Sequence, residues 1–489
     1  MKLRLITILT SGLALCLLCT GLAFAGENGA LTPKTVDNIR SRFIMDPYLR
    51  AMYNAVTNNN ISKLALNRDL LRDHNNLFSH KIKSRGITDQ KASGRCWIFA
   101  SLNTLRPVMV EKYKLDNFEF SQNYLAFWDK MEKANTFLEF MIEFRDRDPL
   151  DREMEGLLRR PIGDGGYWQW AVNLIEKYGV VPKEIMPETN SSENSWNLNY
   201  PLERLLHSDA ARLRRMAKDG ANVSELRTEK EKMLADVYKL LVMNLGMPPV
   251  QFEWRYETKD TAQIDSAKQN DTPENDTKDK KTIVSGTYTP LSFYHDVVGV
   301  DLDEYVDIFD NPTQEYYRHI LAQNTRNMYD RDDLHYVSVP VDNLKKIAMA
   351  SVLNDEPVVF ACDVGHDQDS DDGIMAGNIY DYGTVFDIDL TMSKEDMARY
   401  FESTSNHMMV FLGVDTADGQ PVKWLVENSW GDKKGKDGYW TLYNDWFDNY
   451  VYGIIVKKKY VPEEILKIYD QKPLVIPPWD PNTQMHRLD

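Results

Sequence analysis

Apolar residues recur at helical spacing through the first half of the chain and in short continuous runs through the second. Leu49, Met52, Val56, Leu64, Leu66 and Leu70 predict helix across 38–72. Ile98, Phe99, Leu102 and Leu105 predict a helix beginning at Cys96, with Pro107 disturbing its end. Ser121 reads as the N-cap of another helix, running through Trp128 and Met131 toward Phe144. Trp168, Ala171, Val172, Leu174, Ile175 and Tyr178 form a further helical stripe, closed by Gly179 with Pro182 beyond. The stretch 202–245 is charged and amphipathic, with Leu205, Leu213, Met216, Leu226, Met233, Val237, Leu240 and Leu241, and 341–354 is again helical. After Pro357 the pattern becomes strands: 358–361, 408–414, 422–426, 439–442 and 452–456. Helices first and antiparallel strands later predict an α+β fold, and no internal repeat is visible.

Two stretches fall outside this pattern. In residues 1–25, Lys2 and Arg4 precede an apolar run from Leu5 to Leu22, and Ala23-Phe24-Ala25 is a small-x-small cleavage site. That is a signal peptide, and it predicts an exported, periplasmic or secreted protein. An uncleaved anchor and a lipid-modified Cys16 or Cys19 are the competing readings, although Leu15 and Leu18 are bulky where a lipoprotein site takes a small residue. The second stretch, 259–285, is polar and nearly free of aliphatics, as a surface excursion would be. The predicted organisation is therefore signal peptide 1–25, helical half 26–184, an inserted helical region 185–345, a β-rich half 346–460 and a C-terminal arm 461–489.

Composition narrows the partners. At 489 residues, 43% hydrophobic and 27% charged, with 11 Trp and 25 Tyr, the chain can build a large aromatic-rich core. Removing 1–25 leaves 56 basic against 74 acidic residues, a net charge of −18. Such a surface repels phosphate backbones and argues against nucleic acid as a partner. No stable membrane association is expected once the signal is cleaved. Cys96 and Cys362 alone then remain, which excludes a disulfide scaffold. Either they pair, or at least one is a free thiol.

Cys96 stands where a thiol can react. In Gln90-Lys91-Ala92-Ser93-Gly94-Arg95-Cys96-Trp97 it follows a polar turn and opens an apolar helix, whose positive end favours a thiolate. Gln90 can offer a side-chain amide to a developing oxyanion. A nucleophile needs a base, and the base an orienting partner. His407 lies at the entrance to one predicted strand and Asn428 at the end of the next, so antiparallel pairing would bring imidazole and carboxamide together. Taken singly, Cys96 also reads as a buried small hydrophobe, His407 as a structural histidine, Asn428 as a turn residue and Gly165-Gly166 as a turn. The acidic run at Asp367, Asp369, Asp371 and Asp372 fails the EF-hand pattern and reads as a solvated loop, so no metal or cofactor is expected.

Taken together, Gln90…Ser93-Gly94-Arg95-Cys96-Trp97, Asn406-His407 and Glu427-Asn428-Ser429-Trp430-Gly431 resemble a papain-type cysteine peptidase. More closely, the chain resembles the bleomycin hydrolase and aminopeptidase C group. Supporting segments are 118–124, 176–182, 361–365 and 477–481, so the likeness spans about 50–481. The resemblance implies a papain-like fold of two subdomains, with a helical insertion and a C-terminal arm. It implies Cys96 as nucleophile, His407 as general base and acid, Asn428 as orienter, and Gln90 with the Cys96 N–H as oxyanion hole. It assigns Trp430 to shielding the His–Asn bond, Asp164-Gly165-Gly166 to a strand-like edge along the substrate backbone, and Asn406 to the substrate side of the cleft. It places Cys362 on a core strand away from the nucleophile. Peptides are the implied substrates, and the family's hexamer is the implied assembly.

In these relatives the arm's last carboxylate, here Asp489, holds the substrate's ammonium and makes the enzyme an aminopeptidase. Asn482 to Asp489 is longer and bulkier than the usual small-residue ending. Endopeptidase or dipeptide-releasing activity is accordingly the alternative, and a silent peptide-binding cleft the alternative from another class.

Overall fold

The computed structural model describes residues 29–83, 85–258 and 282–483. The signal segment, most of the polar excursion and the end of the tail lie outside the described residues. The chain divides into two compact units. The smaller comprises residues up to 66 together with 381–389; its helices Pro33–Arg42 and Pro47–Asn58 open on Thr32 and Asp46 caps, each followed by proline at the first helical position.

The larger unit is built on one sheet. In chain order its strands are β1 (His80–Lys81), β4 (Tyr305–Phe309), β5 (Arg318–Ala322), β6 (His335–Ser338), β7 (Val358–Cys362), β8 (Gln368–Asp369), β9 (Ile374–Met375), β10 (His407–Ala417), β11 (Gln420–Glu427), β12 (Tyr439–Tyr443), β13 (Val451–Lys457) and β14 (Leu474–Ile476). Between β1 and β4 in sequence, β2 (Phe252–Thr258) and β3 (Thr282–Tyr288) form a separate antiparallel pair. The sheet runs β14-β5-β6-β4-β13-β7-β10-β11-β12-β9-β8, with β1 on β10. Its middle, β13-β7-β10-β11-β12, is antiparallel throughout.

Strand alternation divides the core in two. Val359, Ala361, Met408, Val410 and Leu412 face one cluster; Val358, Phe360, Cys362, Met409 and Phe411 face the other. The first cluster is filled by α1 (Cys96–Lys112), α2 (Gln122–Glu143), α3 (Trp168–Tyr178), α4 (Trp196–Lys218) and α5 (Val223–Leu245). The second takes α6 (Val341–Val352) through Leu344, Ile347, Ala348 and Val352. This α+β arrangement is the papain-like class.

Two differences from the sequence reading have plain causes. α1 continues past Pro107 to Lys112. Proline removes one helical hydrogen bond there, but Met109 and Val110 are buried beyond it and hold the last turns in place. The region 185–345 is mostly helical as far as Leu245; beyond it come strands from Phe252 onward, short helical turns within 290–304 and the start of α6. Strands β4, β5 and β6 extend the main sheet by pairing with one another and, through β4 and β5, with β13 and β14 far off in sequence.

Candidate active site

Cys96 is the first residue of α1 and is 7% exposed. The turn before it is tied down on all sides. Ser93 Oγ donates to the Gln90 carbonyl at 2.6 Å, and Arg95 pairs with Glu188 at 2.9 Å. Gly94 packs so closely on Asp164 that an added Cβ would lie 2.6 Å from the Asp164 Cβ. α1 lies against β10. The Cys96 sulfur accepts from the backbone N–H of Met408, the residue after His407.

His407 is the first residue of β10 and Asn428 the first beyond β11; the two strands pair antiparallel with Val410 opposite Glu427. That pairing brings His407 Nε2 within 2.9 Å of Asn428 Oδ1. Oδ1 also accepts from Ser429 N–H at 2.8 Å, which sets the carboxamide with its oxygen toward the ring. His407 then carries its proton on Nε2, and Nδ1 is left for proton transfer. Trp430 lies over this bond, its ring centroid 4.9 Å from that of His407. Asp89 bridges to Trp430, and Gln90 N–H donates to the Ser429 carbonyl at 2.8 Å. The Gln90 side chain is fixed: Nε2 donates to Ser93 O at 2.5 Å and Oε1 accepts from Ser429 Oγ at 2.7 Å. One Nε2 hydrogen remains for an oxyanion.

Burial sets the protonation of both reacting groups. It pushes the Cys96 thiol up to about 11, against the pull of the Met408, Trp97 and Cys96 N–H groups. It presses the His407 imidazole down to about 4, against the Asn428 hydrogen bond. Burial thus opposes the charged form of each group, while the N–H donors around Sγ and the Asn428 carboxamide favour a thiolate–imidazolium pair.

The Asp164-Gly165-Gly166 edge divides its roles. Gly166 sits against the Trp97 indole, where an added Cβ would come within 2.5 Å of the ring. Gly165 is exposed, and with Gly163 it borders a cavity of about 150 Å³ walled by Phe137, Phe140, Leu157, Tyr167 and Trp170. The Asp164 carboxylate is engaged within the protein. It accepts from Lys130 at 2.5 Å, Ser195 at 2.5 Å, Asn199 at 2.8 Å and Gly94 N–H at 3.3 Å. Burial opposes its charge, yet Lys130, Ser195 and Asn199 hold the carboxyl well below the ordinary range. It joins the nucleophile turn to α2 and α4.

Asn406 is similarly engaged, donating to Asp363 Oδ1 at 2.5 Å and accepting from Val364 N–H at 3.0 Å. Asp363 and Asp369 are buried and Asp367 accepts from Tyr450 Oη at 2.6 Å, so part of the acidic run is internal rather than solvated. Cys362 lies directly opposite His407 in the sheet, and its sulfur donates to the His407 carbonyl at 3.7 Å. Its side chain faces the core cluster on the opposite side of the sheet from the one that holds Cys96. Both cysteines are free thiols. Asp489 falls outside the described residues.

Sequence reasoning missed the Met408 N–H and the lysine pair Lys130 and Lys133. Lys133 Nζ donates to the Gly163 and Gly165 carbonyls at 2.9 and 2.8 Å and so holds the glycine edge. A backbone donor has no residue signature, and these lysines look like the solvated face of a helix until the turn at 163–165 folds onto them.

A thiol at a helix start, an Asn-oriented histidine and a waiting amide on a papain-like α+β frame define a cysteine peptidase. The Peptidase C1-like family model matches residues 30–483. Aminopeptidase C of Streptococcus thermophilus is 39% identical over 434 residues, 88% of this chain and 93% of that protein. Bleomycin hydrolase of Mus musculus is 34% identical over 467 residues, 93% of this chain and 98% of the other. The crystal structure of PepW from Lactobacillus rhamnosis superimposes with a TM-score of 0.86 at 36% identity, covering 93% of this chain and 99% of that one. The chain belongs to the Peptidase C1-like family. Within it, the chain is a cysteine-type peptidase of the aminopeptidase C and bleomycin hydrolase kind.

Proposed function

We propose that this protein is an exported aminopeptidase acting through a Cys96 acyl-enzyme. The 2.9 Å bond from His407 Nε2 to Asn428 Oδ1, beside a thiol at the start of α1, carries the reading. Substrate binding displaces water, and the Sγ proton passes to His407 Nδ1 as sulfur attacks the scissile carbonyl carbon. The oxyanion receives the Gln90 Nε2–H and the Cys96 N–H. The C–N bond breaks, His407 returns its proton to the leaving amine, and a thioester remains. Water, deprotonated by His407, then attacks the thioester and releases the acid, and the sulfur recovers its proton. Trp430 keeps water from the His–Asn bond. Gly165 and Gly166 lie along the substrate backbone, with Asp164 and Asn406 holding the cleft walls.

Aminopeptidase action is supported by the arm. Trp479 stacks on the Arg152 guanidinium at 4.8 Å, Asn482 donates to Asn311 at 2.6 Å, and Pro481 O accepts from Thr404 at 2.7 Å, three residues before His407. Six further residues span at most about 20 Å. The arm is thus anchored beside the strand that opens on His407, the position from which its continuation would meet a substrate ammonium. Relatives named aminopeptidase C favour the same specificity. The basic, apolar and small-residue succession of 1–25 supports export. The hexamer implied by the resemblance remains part of the proposal.

Iodoacetamide should label Cys96 with one equivalent, and His407→Ala should lose that selective labelling together with peptide turnover. Full turnover by Cys96→Ser would end the reading.

A further inference from the structure

Trp430 has a second face to the cleft. Besides covering His407, it walls a pocket of about 380 Å³ whose other residues are Asp89, Lys91, Gln368, Ser370 and Lys434. This pocket shares no residue with the cavity beside Gly165. Acyl transfer places the leaving amine next to the imidazole that protonates it, so a pocket walled by the indole over His407 faces the leaving fragment.

Its polar groups match what such a fragment carries. Lys91 is neutralised by Asp89 at 2.5 Å. Lys434 is exposed, and its ammonium has no ion-pair or hydrogen-bond partner among the described residues. The loop carrying it is held, because Gly435 N–H donates to Ser370 O and Gly438 N–H to Lys434 O, both at 3.0 Å. Gln368 Oε1 is buried with no donor among the described residues. The free groups are therefore one acceptor and one cation, while a leaving peptide presents amide N–H groups and ends in a carboxylate. An unpaired buried acceptor is costly, so a ligand N–H there is favoured.

We propose that this pocket is a leaving-side subsite selecting peptides that carry a carboxylate, with Gln368 accepting an amide N–H and Lys434 pairing with the anion. The proposal rests on the catalytic reading of Cys96 and His407. It takes either source of the anion, the free C-terminus of a short peptide or an acidic side chain in a longer one.

The test compares kcat/KM for a tripeptide with a free C-terminus, the same tripeptide amidated, and amidated tripeptides ending in glutamate or glutamine. Ratios are taken within each variant, so that any general loss of activity cancels. The wild type should favour the carboxylate-bearing member of each pair by about three- to tenfold at low salt, less at high salt. Lys434→Ala should bring the ratios to about one, and Lys434→Glu should invert them. The pair showing the preference identifies the source. Equal turnover within both pairs by the wild type, or a preference that survives in Lys434→Glu, overturns the proposal. Calorimetry of the same peptides on Cys96→Ala reads the pocket without turnover. Silence of the wild type toward every peptide and toward an aminoacyl arylamide would instead sink the catalytic reading, while calorimetry still decides the subsite.

Discussion

His407 and Asn428 show how burial and one opposing hydrogen bond together set a reaction's pH range. The imidazole is held near 4 by burial, with the Asn428 carboxamide pulling the other way. Below that value His407 is protonated and cannot take the thiol proton, so activity falls; above it the base is ready. The thiol, near 11, bounds the alkaline side. The acid and alkaline limbs of kcat/KM belong to the coupled pair. Asn428→Asp places a negative charge against the ring and favours the imidazolium. The acid limb should therefore move upward by about one unit or more, measured as a pH–rate profile. An unmoved limb would mean that His407 does not govern it. These two residues were legible in sequence because strand ends are legible and adjacent antiparallel strands usually pair. The direction of the Cys96 shift was not, because it depends on burial at 7% exposure rather than on the helix end alone.

At the scale of elements, the site depends on α1 and the β10–β11 pair keeping their positions. Asn428 follows Glu427 on β11, and Glu427 Oε1 accepts from Arg106 Nη2 of α1 at 2.8 Å, with the two side chains 3% and 4% exposed. Burial raises the Glu427 carboxyl to about 7 despite Arg106. Arg106→Leu leaves that carboxylate without its cation and should destabilise the fold by about 3–5 kcal/mol at pH 8, read by denaturant unfolding. The sign of the pH dependence comes from the raised value. Glu427 contributes stability that is complete below about 4.5 and lost as pH rises through about 7, so the penalty should shrink at pH 5. An equal loss at both pH values would remove Glu427 from the account. Arg106 reads in sequence as one polar residue on an apolar helix. Its partner is 321 positions away, and no spacing rule connects them.

For the whole molecule, the arm is the element joining the two ends of the problem. Asp480 accepts from Gln314 at 2.8 Å, and Asp480, Asn482 and Thr483 are all buried. The retained Trp479-Asp480-Pro481 segment is thus an anchor, and under the proposed aminopeptidase action residues 484–489 govern access to the cleft. Deleting 484–489 should leave the fold standing and let peptides with blocked N-termini be cleaved at a rate comparable to free ones. Product analysis by mass spectrometry decides it. A truncated enzyme that still requires a free N-terminus would place the specificity elsewhere.

The sequence by itself determined the chemistry and the class. Cysteine, histidine, asparagine and glutamine are ambiguous singly and meaningful together, since each marks the end of a helix, strand or turn whose periodicity is visible. Only the tertiary structure decided the roles of charged residues. Asp164 became a part-buried junction between the nucleophile turn and the helices, and part of the acidic run went inside. A carboxylate's role depends on which cations and N–H groups fold against it, and those come from Lys130, Ser195 and Asn199, brought together only when the helices pack.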